Sequence, residues 1–284
     1  MARGMRVTGS ELVGLVPLKS LTDAGRFFLH RQQRSSGVSE KELVNIAVKT
    51  LGLNELSPFN PEERVIEYLL RDKQEERLVR MTLSDFADET ASESPAPGGG
   101  TIAAYLGALG ASLGTMVANL SSHKKGWDER WMEFSTWAEQ GQKLKKELLA
   151  LADEDTRAFN TILEAFGLPK GSETEKAVRL DAIEQATRYA IDVPFRVMKA
   201  SLESMPLLHA MAANGNPNSV SDAGVGALCA RSAVMGAYLN VRINASGLRD
   251  REYTSQLLEE ALKIRKNAIE WEAKILAITE QKMA

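Results

Sequence analysis

A chain of 284 residues, 44 % of them apolar, is long enough to bury a sizeable core in one large domain or two smaller ones. A net charge of −3 with 26 % charged side chains gives no basic excess of the kind that phosphate backbones attract, which argues against a nucleic-acid partner. One cysteine, Cys229, excludes an internal disulfide, and His30, His123 and His209 fit no usual metal spacing, so a cytoplasmic protein without a structural metal is expected. The opening MARGMRVTGSELVGLVPL has neither a sustained apolar stretch nor a small-residue cleavage site, so secretion is not expected.

Up to about residue 80 the elements are mixed. ELVGLVPL reads as a strand, and LTDAGRFFLHRQQR can form a helix. In SEKELVNIAVKTLGL, Ser39 and Glu42 make a capping box and Gly52 supplies the stop; Asn60 and Pro61 open another short helix, PEERVIEYLL. One strand cannot make a sheet alone, so this region reads as a piece of a larger α/β domain or an arm that docks elsewhere. The charged stretch RDKQEER at 71–77 is the natural seam, which divides the chain into residues 1–79 and 80–284.

Beyond the seam every segment carries helical periodicity. Helices are predicted near 128–166, 174–191, 194–213, 221–246 and 251–282, punctuated by GLPKG, Pro194, NGNPN and ASGL, which predicts an all-α, up-and-down bundle. The small-residue face of 221–246 is of the kind that meets a second copy of the chain.

The run SPAPGGGTIAAYLGALGASLGTMVANL, from Ser94 to Leu120, carries no charge. It lacks the lysine of a phosphate loop, and the polar, proline-broken LSDFADETASESPAP before it is no strand for a dinucleotide fold. Thr101–Leu120 is long enough to span a membrane, yet Gly, Ala, Ser, Thr and Asn dominate it, so no membrane partner is expected. Ala103, Gly107, Gly110 and Gly114 instead line one helix face, where another backbone can come close. The turn with Gly98, Gly99 and Gly100 leaves helix-start amides for oxygen or anionic groups, or is a packing turn without a ligand.

Two polar intrusions stand on otherwise apolar helix faces. In KKELLALADEDTRAFNTILEAFGLP, Asp155 falls at the centre of the stripe Leu148, Leu151, Ala152, Phe159, Ile162 and Phe166, while Asp153 points about 160° away toward solvent. A carboxylate there is either paired or functional, because burying it alone is costly. In 221–246 the stripe Gly226, Ala230, Ala233, Ala237 continues through Asn240 and Asn244, whose amides suit a heteroaromatic ligand or cross-link helices. Ser221 and Asp222 read as N-cap residues of that helix. Lys124 and Lys125, after His123, are solvated surface or a meeting point for ligand carboxylates.

Three motifs in order, SPAPGGGTIAAYLGALGASLGTMV, ALADEDTRAF and GNPNSVSDAGVGALCARSAVMGAYLNVRIN, resemble the formiminotetrahydrofolate cyclodeaminase family over about residues 80–284. Residues from about 7 to 70 resemble the C-terminal end of the formiminotransferase half of the bifunctional members. The transferase's catalytic histidine and main folate loop belong to a portion not found in this sequence, so transferase activity is not expected. The resemblance implies a helical subunit that forms a homodimer or higher oligomer, with a folate pocket where subunits meet. It implies that Asp155, the second aspartate of DED, is catalytic, and that Ser94 to Thr101 and the NPNSVSD segment, with Asn216, Ser221 and Asp222, line the pocket. The implied reaction converts 5-formiminotetrahydrofolate to 5,10-methenyltetrahydrofolate with loss of ammonia, in histidine degradation and one-carbon metabolism. No metal or redox cofactor is expected. Lys124 and Lys125 are assigned to a polyglutamyl tail. A methenyltetrahydrofolate cyclohydrolase of the same fold, or a non-catalytic folate-binding assembly module, are the alternatives.

Overall fold

The computed structural model describes residues 9–71 and 78–284, so most of the charged seam, 72–77, lies outside the described residues. These residues form two compact units. One contains residues 9–71 with 118–139; the other contains residues 78–117 with 140–284.

In the first unit, α1 (Leu18–Arg31) and α2 (Glu40–Leu51) form a hairpin, close enough that a Cβ on Gly25 would stand 2.2 Å from the Leu43 carbonyl oxygen. Helix α2 starts where the Ser39 side chain accepts the Glu42 amide, one half of the predicted capping box, and stops as predicted at Gly52, whose φ of 66° is left-handed. The predicted helix over 61–70 splits into α3 (Pro61–Arg64) and α4 (Ile66–Leu69). Val65 leaves helical geometry to pair with Val16: the Val16 amide donates to the Arg64 carbonyl at 2.9 Å, and the Ile66 amide to the Val16 carbonyl at 3.1 Å. The predicted strand is thus reduced to one parallel bridge, and no longer strand occurs among the described residues. Val16 and Val65 go instead into a core with Leu21, Val44, Ala47, Val48, Leu53 and Tyr68.

The second unit is all helix: α5 (Leu83–Thr90), α6 (Gly99–Ser122), α7 (Trp131–Gly167), α8 (Glu173–Glu203), α9 (Met205–Asn214), α10 (Val220–Ala245) and α11 (Arg251–Met283), the ends of α6 and α7 belonging to the first unit. The predicted break at Pro194 is absent. Helix α8 runs through it because Ile191, Val193, Pro194, Phe195, Val197 and Met198 are all buried, and this packing offsets the roughly 3 kcal/mol that an internal proline costs. The chain turns at Ser204, where Pro206 sits in the first turn of α9. Helix α10 begins at Val220 with Ser219 in the cap position, so Ser221 and Asp222 lie in its first turn and not before it.

The small-residue faces of α6 and α10 meet. A Cβ on Gly110 would stand 2.8 Å from the Gly226 carbonyl oxygen, one on Gly107 would lie 3.4 Å from Ala233, and one on Gly236 would lie 3.2 Å from Ala103. The two helices therefore run antiparallel with their backbones in near contact, which offsets the roughly 1 kcal/mol that each glycine costs a helix. By length and composition α6 could cross a membrane, but 61 % of its most apolar window is buried inside the protein, and that packing accounts for its character.

Candidate active site

On α7 the residues Leu144, Leu148, Leu151, Ala152 and Ala158 are buried. Asp155 lies on that face, as the periodicity requires. The expected continuation of the stripe is only partly met: Phe159 and Ile162 are half-buried, and Phe166 is exposed beneath the Arg179 guanidinium. Small residues, Ala158 and Ala165, hold the buried positions there, on the flank that faces α8.

The three acids of DED have three fates. Asp153 is half-buried and not fully turned to solvent as expected, and it accepts a long bond from the Val79 amide at 3.4 Å. Glu154 ties α7 to α8, accepting from Arg196 at 2.8 Å and from the Tyr189 hydroxyl at 3.2 Å. Asp155 has no cation partner among the described residues. Its Oδ2 accepts the Thr101 hydroxyl at 2.9 Å, and Thr101 is fully buried in the first turn of α6. Burial pushes the Asp155 carboxyl above the ordinary aspartate range, while the Thr101 hydroxyl and backbone amide pull it part of the way back. The amides at the helix start and their dipole favour this carboxylate as they favour any anion.

The glycine turn is shaped around that carboxylate. A Cβ on Gly100 would fall 2.3 Å from Asp155 Oδ1, so only glycine lets the two helices hold the acid there. Asn240 on α10 completes the cluster, its Nδ2 standing 3.5 Å from where a Cβ of Gly99 would be, and Gly99 itself is exposed. The cluster is therefore a desolvated carboxylate, an uncharged amide and a helix start, open at Gly99. Such a set can take a proton from a ligand nitrogen, return it, and hold a developing cation close to a negative group.

The remaining predicted residues are spread out. Ser94 is exposed and donates to the Ala96 carbonyl at 2.7 Å, and Gly98 lies just before α6. Asn244 Nδ2 donates to the Ala190 carbonyl at 2.8 Å and so cross-links α10 to α8. Asn216 accepts the Asn218 amide at 3.2 Å and, with Ser221 and Asp222, stands at the opposite end of α10 from Asn240. Eighteen residues separate Asp222 from Asn240, about 27 Å at the helical rise, so one chain does not bring both to Asp155. Lys124 and Lys125 follow α6 and belong to the first unit, with the Lys124 ammonium 4.2 Å above the Trp127 ring. Thr101 was readable in the sequence only as the residue after the glycines; its role as the partner of Asp155 needs the two helices side by side.

A family model described as formiminotransferase-cyclodeaminase matches residues 82–263, and one described as formiminotransferase domain matches residues 1–71. The chain is 35 % identical over 279 residues to formimidoyltransferase-cyclodeaminase of Gallus gallus, covering 98 % of this chain and 51 % of that protein. It is 39 % identical over 179 residues to methenyltetrahydrofolate cyclohydrolase of Methylorubrum extorquens, covering 63 % of this chain and 86 % of that one. The crystal structure of formiminotetrahydrofolate cyclodeaminase from Thermotoga maritima superposes with a TM-score of 0.65 at 26 % identity, covering 73 % of this chain and all of that one. The chain spans about half the length of the bifunctional relatives it matches.

Proposed function

Since the chain belongs to the formiminotransferase-cyclodeaminase family, we propose that it is a formimidoyltetrahydrofolate cyclodeaminase, an ammonia-lyase that closes 5-formiminotetrahydrofolate to 5,10-methenyltetrahydrofolate. The observation that carries this reading is Asp155: an acid with no cation partner among the described residues, raised in pKa by burial and held at the start of α6. The N10 nitrogen attacks the formimino carbon to form an aminal, and ammonia then leaves with the electrons of its carbon–nitrogen bond. Asp155 accepts the N10 proton, returns one to the departing amine, and faces the cationic methenyl product. Ring closure is intramolecular, so positioning supplies much of the rate. No oxidation state changes, so the chemistry calls for no redox group.

The subunit is proposed to act as a homodimer or higher oligomer in the cytoplasm, with residues 1–79 as the end of a formiminotransferase domain and 80–284 as the cyclodeaminase domain. Support for the dimer comes from an apolar stripe on α10, where Val225, Leu228, Leu239 and Ile243 are exposed on one face. A two-fold, antiparallel pairing of these stripes would bring Asp222 of the partner subunit toward the Asn240 end of α10, reuniting residues that one chain keeps apart. The further glutamates of a polyglutamyl substrate are assigned to Lys124 and Lys125.

The test is to incubate the protein with 5-formiminotetrahydrofolate and follow methenyl absorbance and ammonia together, beside the Asp155→Asn protein. Equal appearance of both, in the unsubstituted protein alone, is expected; a folded dimer that yields neither would end the reading. The likeness to a cyclohydrolase favours a second reading, in which supplied methenyltetrahydrofolate is hydrolysed and no ammonia is released from the formimino compound.

A further inference from the structure

Lys145 is a partly buried cation of the second unit that no carboxylate among the described residues neutralises. Its side chain is half-buried on α7, and its ammonium donates only to the side-chain oxygen of Gln142; no carboxylate among the described residues reaches it. Burial pushes its pKa down. Two partly buried cations of this unit do have an acid, Arg196 paired with Glu154 and Arg231 with Glu272, while the Arg265 Nε is buried without a hydrogen-bond partner among the described residues. A neutral amide offsets only part of the cost of drawing an ammonium out of water, and an arriving anion would recover more.

Lys145 also stands in a definite relation to the acid. Ten residues along one continuous helix separate it from Asp155, an axial distance of about 15 Å, and the two positions differ by about 80° around the axis. Thr156, the neighbour of Asp155, lies on the same flank as Lys145, within about 20°. Its hydroxyl is buried without a hydrogen-bond partner. Leu149, half-buried, lies between the two. Along this flank the order is an unpaired hydroxyl beside a carboxylate, an apolar side chain, and an ammonium without an acid.

We infer that Lys145 binds a carboxylate of the substrate's first glutamate, with the aminobenzoyl ring lying along the flank of α7 and N10 at Asp155. This rests on the folate reading above. The order of groups is that of the substrate's own arm, from a reacting nitrogen through a flat apolar ring to an anionic end, and the span suits that arm once side chains reach in from both ends. Lys145 is therefore a substrate-binding residue remote from the bond that forms.

The experiment measures binding by calorimetry of two probes: tetrahydrofolate, and tetrahydropteroyl N-methylamide, in which a neutral methyl group replaces the glutamate. In Lys145→Met, affinity for tetrahydrofolate should fall about tenfold or more while affinity for the methylamide changes less than twofold; Lys145→Arg should keep most of the tetrahydrofolate affinity. In turnover the same loss should appear in KM with kcat preserved. An equal loss on both probes, or no loss on tetrahydrofolate, overturns the assignment. Tail-dependent binding without any methenyl formation would support Lys145 and sink the cyclodeaminase reading instead.

Discussion

The Thr101 hydroxyl donates to Asp155 Oδ2 across 2.9 Å, joining the first turn of α6 to the middle of α7. Among the described residues it is the one side-chain hydrogen bond to this acid, and with the Thr101 amide it opposes the rise in pKa that burial causes. Removing it with Thr101→Val keeps the shape and loses the donor. The Asp155 pKa should then rise further, which moves the acidic limb of the rate profile to higher pH and lowers kcat at neutral pH. An unmoved limb would show that Thr101 does not tune the acid.

Asp155→Asn should keep the fold and lose turnover by about 10²-fold or more. It should also raise stability, with a sign set by the pKa. Asp155 titrates higher folded than unfolded, so its ionisation costs nothing below the ordinary aspartate range, destabilises the fold as pH rises from that range through the raised value, and adds a constant penalty above it. The difference in thermal midpoint between Asp155→Asn and the unsubstituted protein should therefore be small at acid pH and grow toward neutrality. A constant difference would mean that the carboxylate is not desolvated.

Gly100→Ala puts a Cβ 2.3 Å from Asp155 Oδ1, and the acid must move. Activity should fall by about 10²-fold, since a displacement of about 1 Å is enough for such a loss. Gly99→Ala meets Asn240 only at an ordinary 3.5 Å and should leave stability within about 0.5 kcal/mol, as denaturant unfolding would read.

The two asparagines on α10 should separate. Asn244→Ala breaks the bond to the Ala190 carbonyl and should cost about 1 kcal/mol of stability with little change in KM. Asn240 spends its Nδ2 on the Gly236 carbonyl of its own helix, at 3.0 Å, beside the glycine turn. Asn240→Ala should raise KM and leave the unfolding midpoint nearly unchanged. The reverse pattern would exchange their roles.

Neutralising Lys124 and Lys125 together should weaken binding of polyglutamyl substrate while leaving the monoglutamate alone. Equal losses on both, measured by competition, would remove the pair from the tail site.

The second unit was legible wherever one residue type enforces one geometry. Gly107 and Gly110 mark the approach of α10, and the position of Asp155 follows from a period of 3.6. Reading failed where a distant partner decides. Pro194 reads as a break until its buried neighbours are counted, and PEERVIEYLL reads as one helix until Val16 arrives to take Val65 out of it. Lys145 gave no signal, because a lysine on a charged helix looks solvated until its surroundings are known. The distance between Asp222 and Asp155 was equally hidden, since a motif's order along the chain does not report which end of a helix it occupies.

The first unit is assembled from two stretches that ribosomal synthesis delivers at different times. The Ser36 amide donates to the Ser135 hydroxyl at 3.0 Å, Asn119 Nδ2 donates to the Gly37 carbonyl at 2.8 Å, and a Cβ on Gly37 would fall 2.1 Å from that of Ala138. When residues 9–71 have emerged, α1 and α2 can pair and the Val16–Val65 bridge can close, but the turn at Ser35–Gly37 still lacks Asn119 and Ser135. Its donors and carbonyls must stay hydrated until the chain reaches Ser135, which lies 99 residues beyond Ser36. Closing so long a loop costs little more than closing a short one, because the entropy grows only with the logarithm of length. The delay is therefore one of supply and not of free energy, and residues 9–71 complete their packing only when residues 118–139 have followed them.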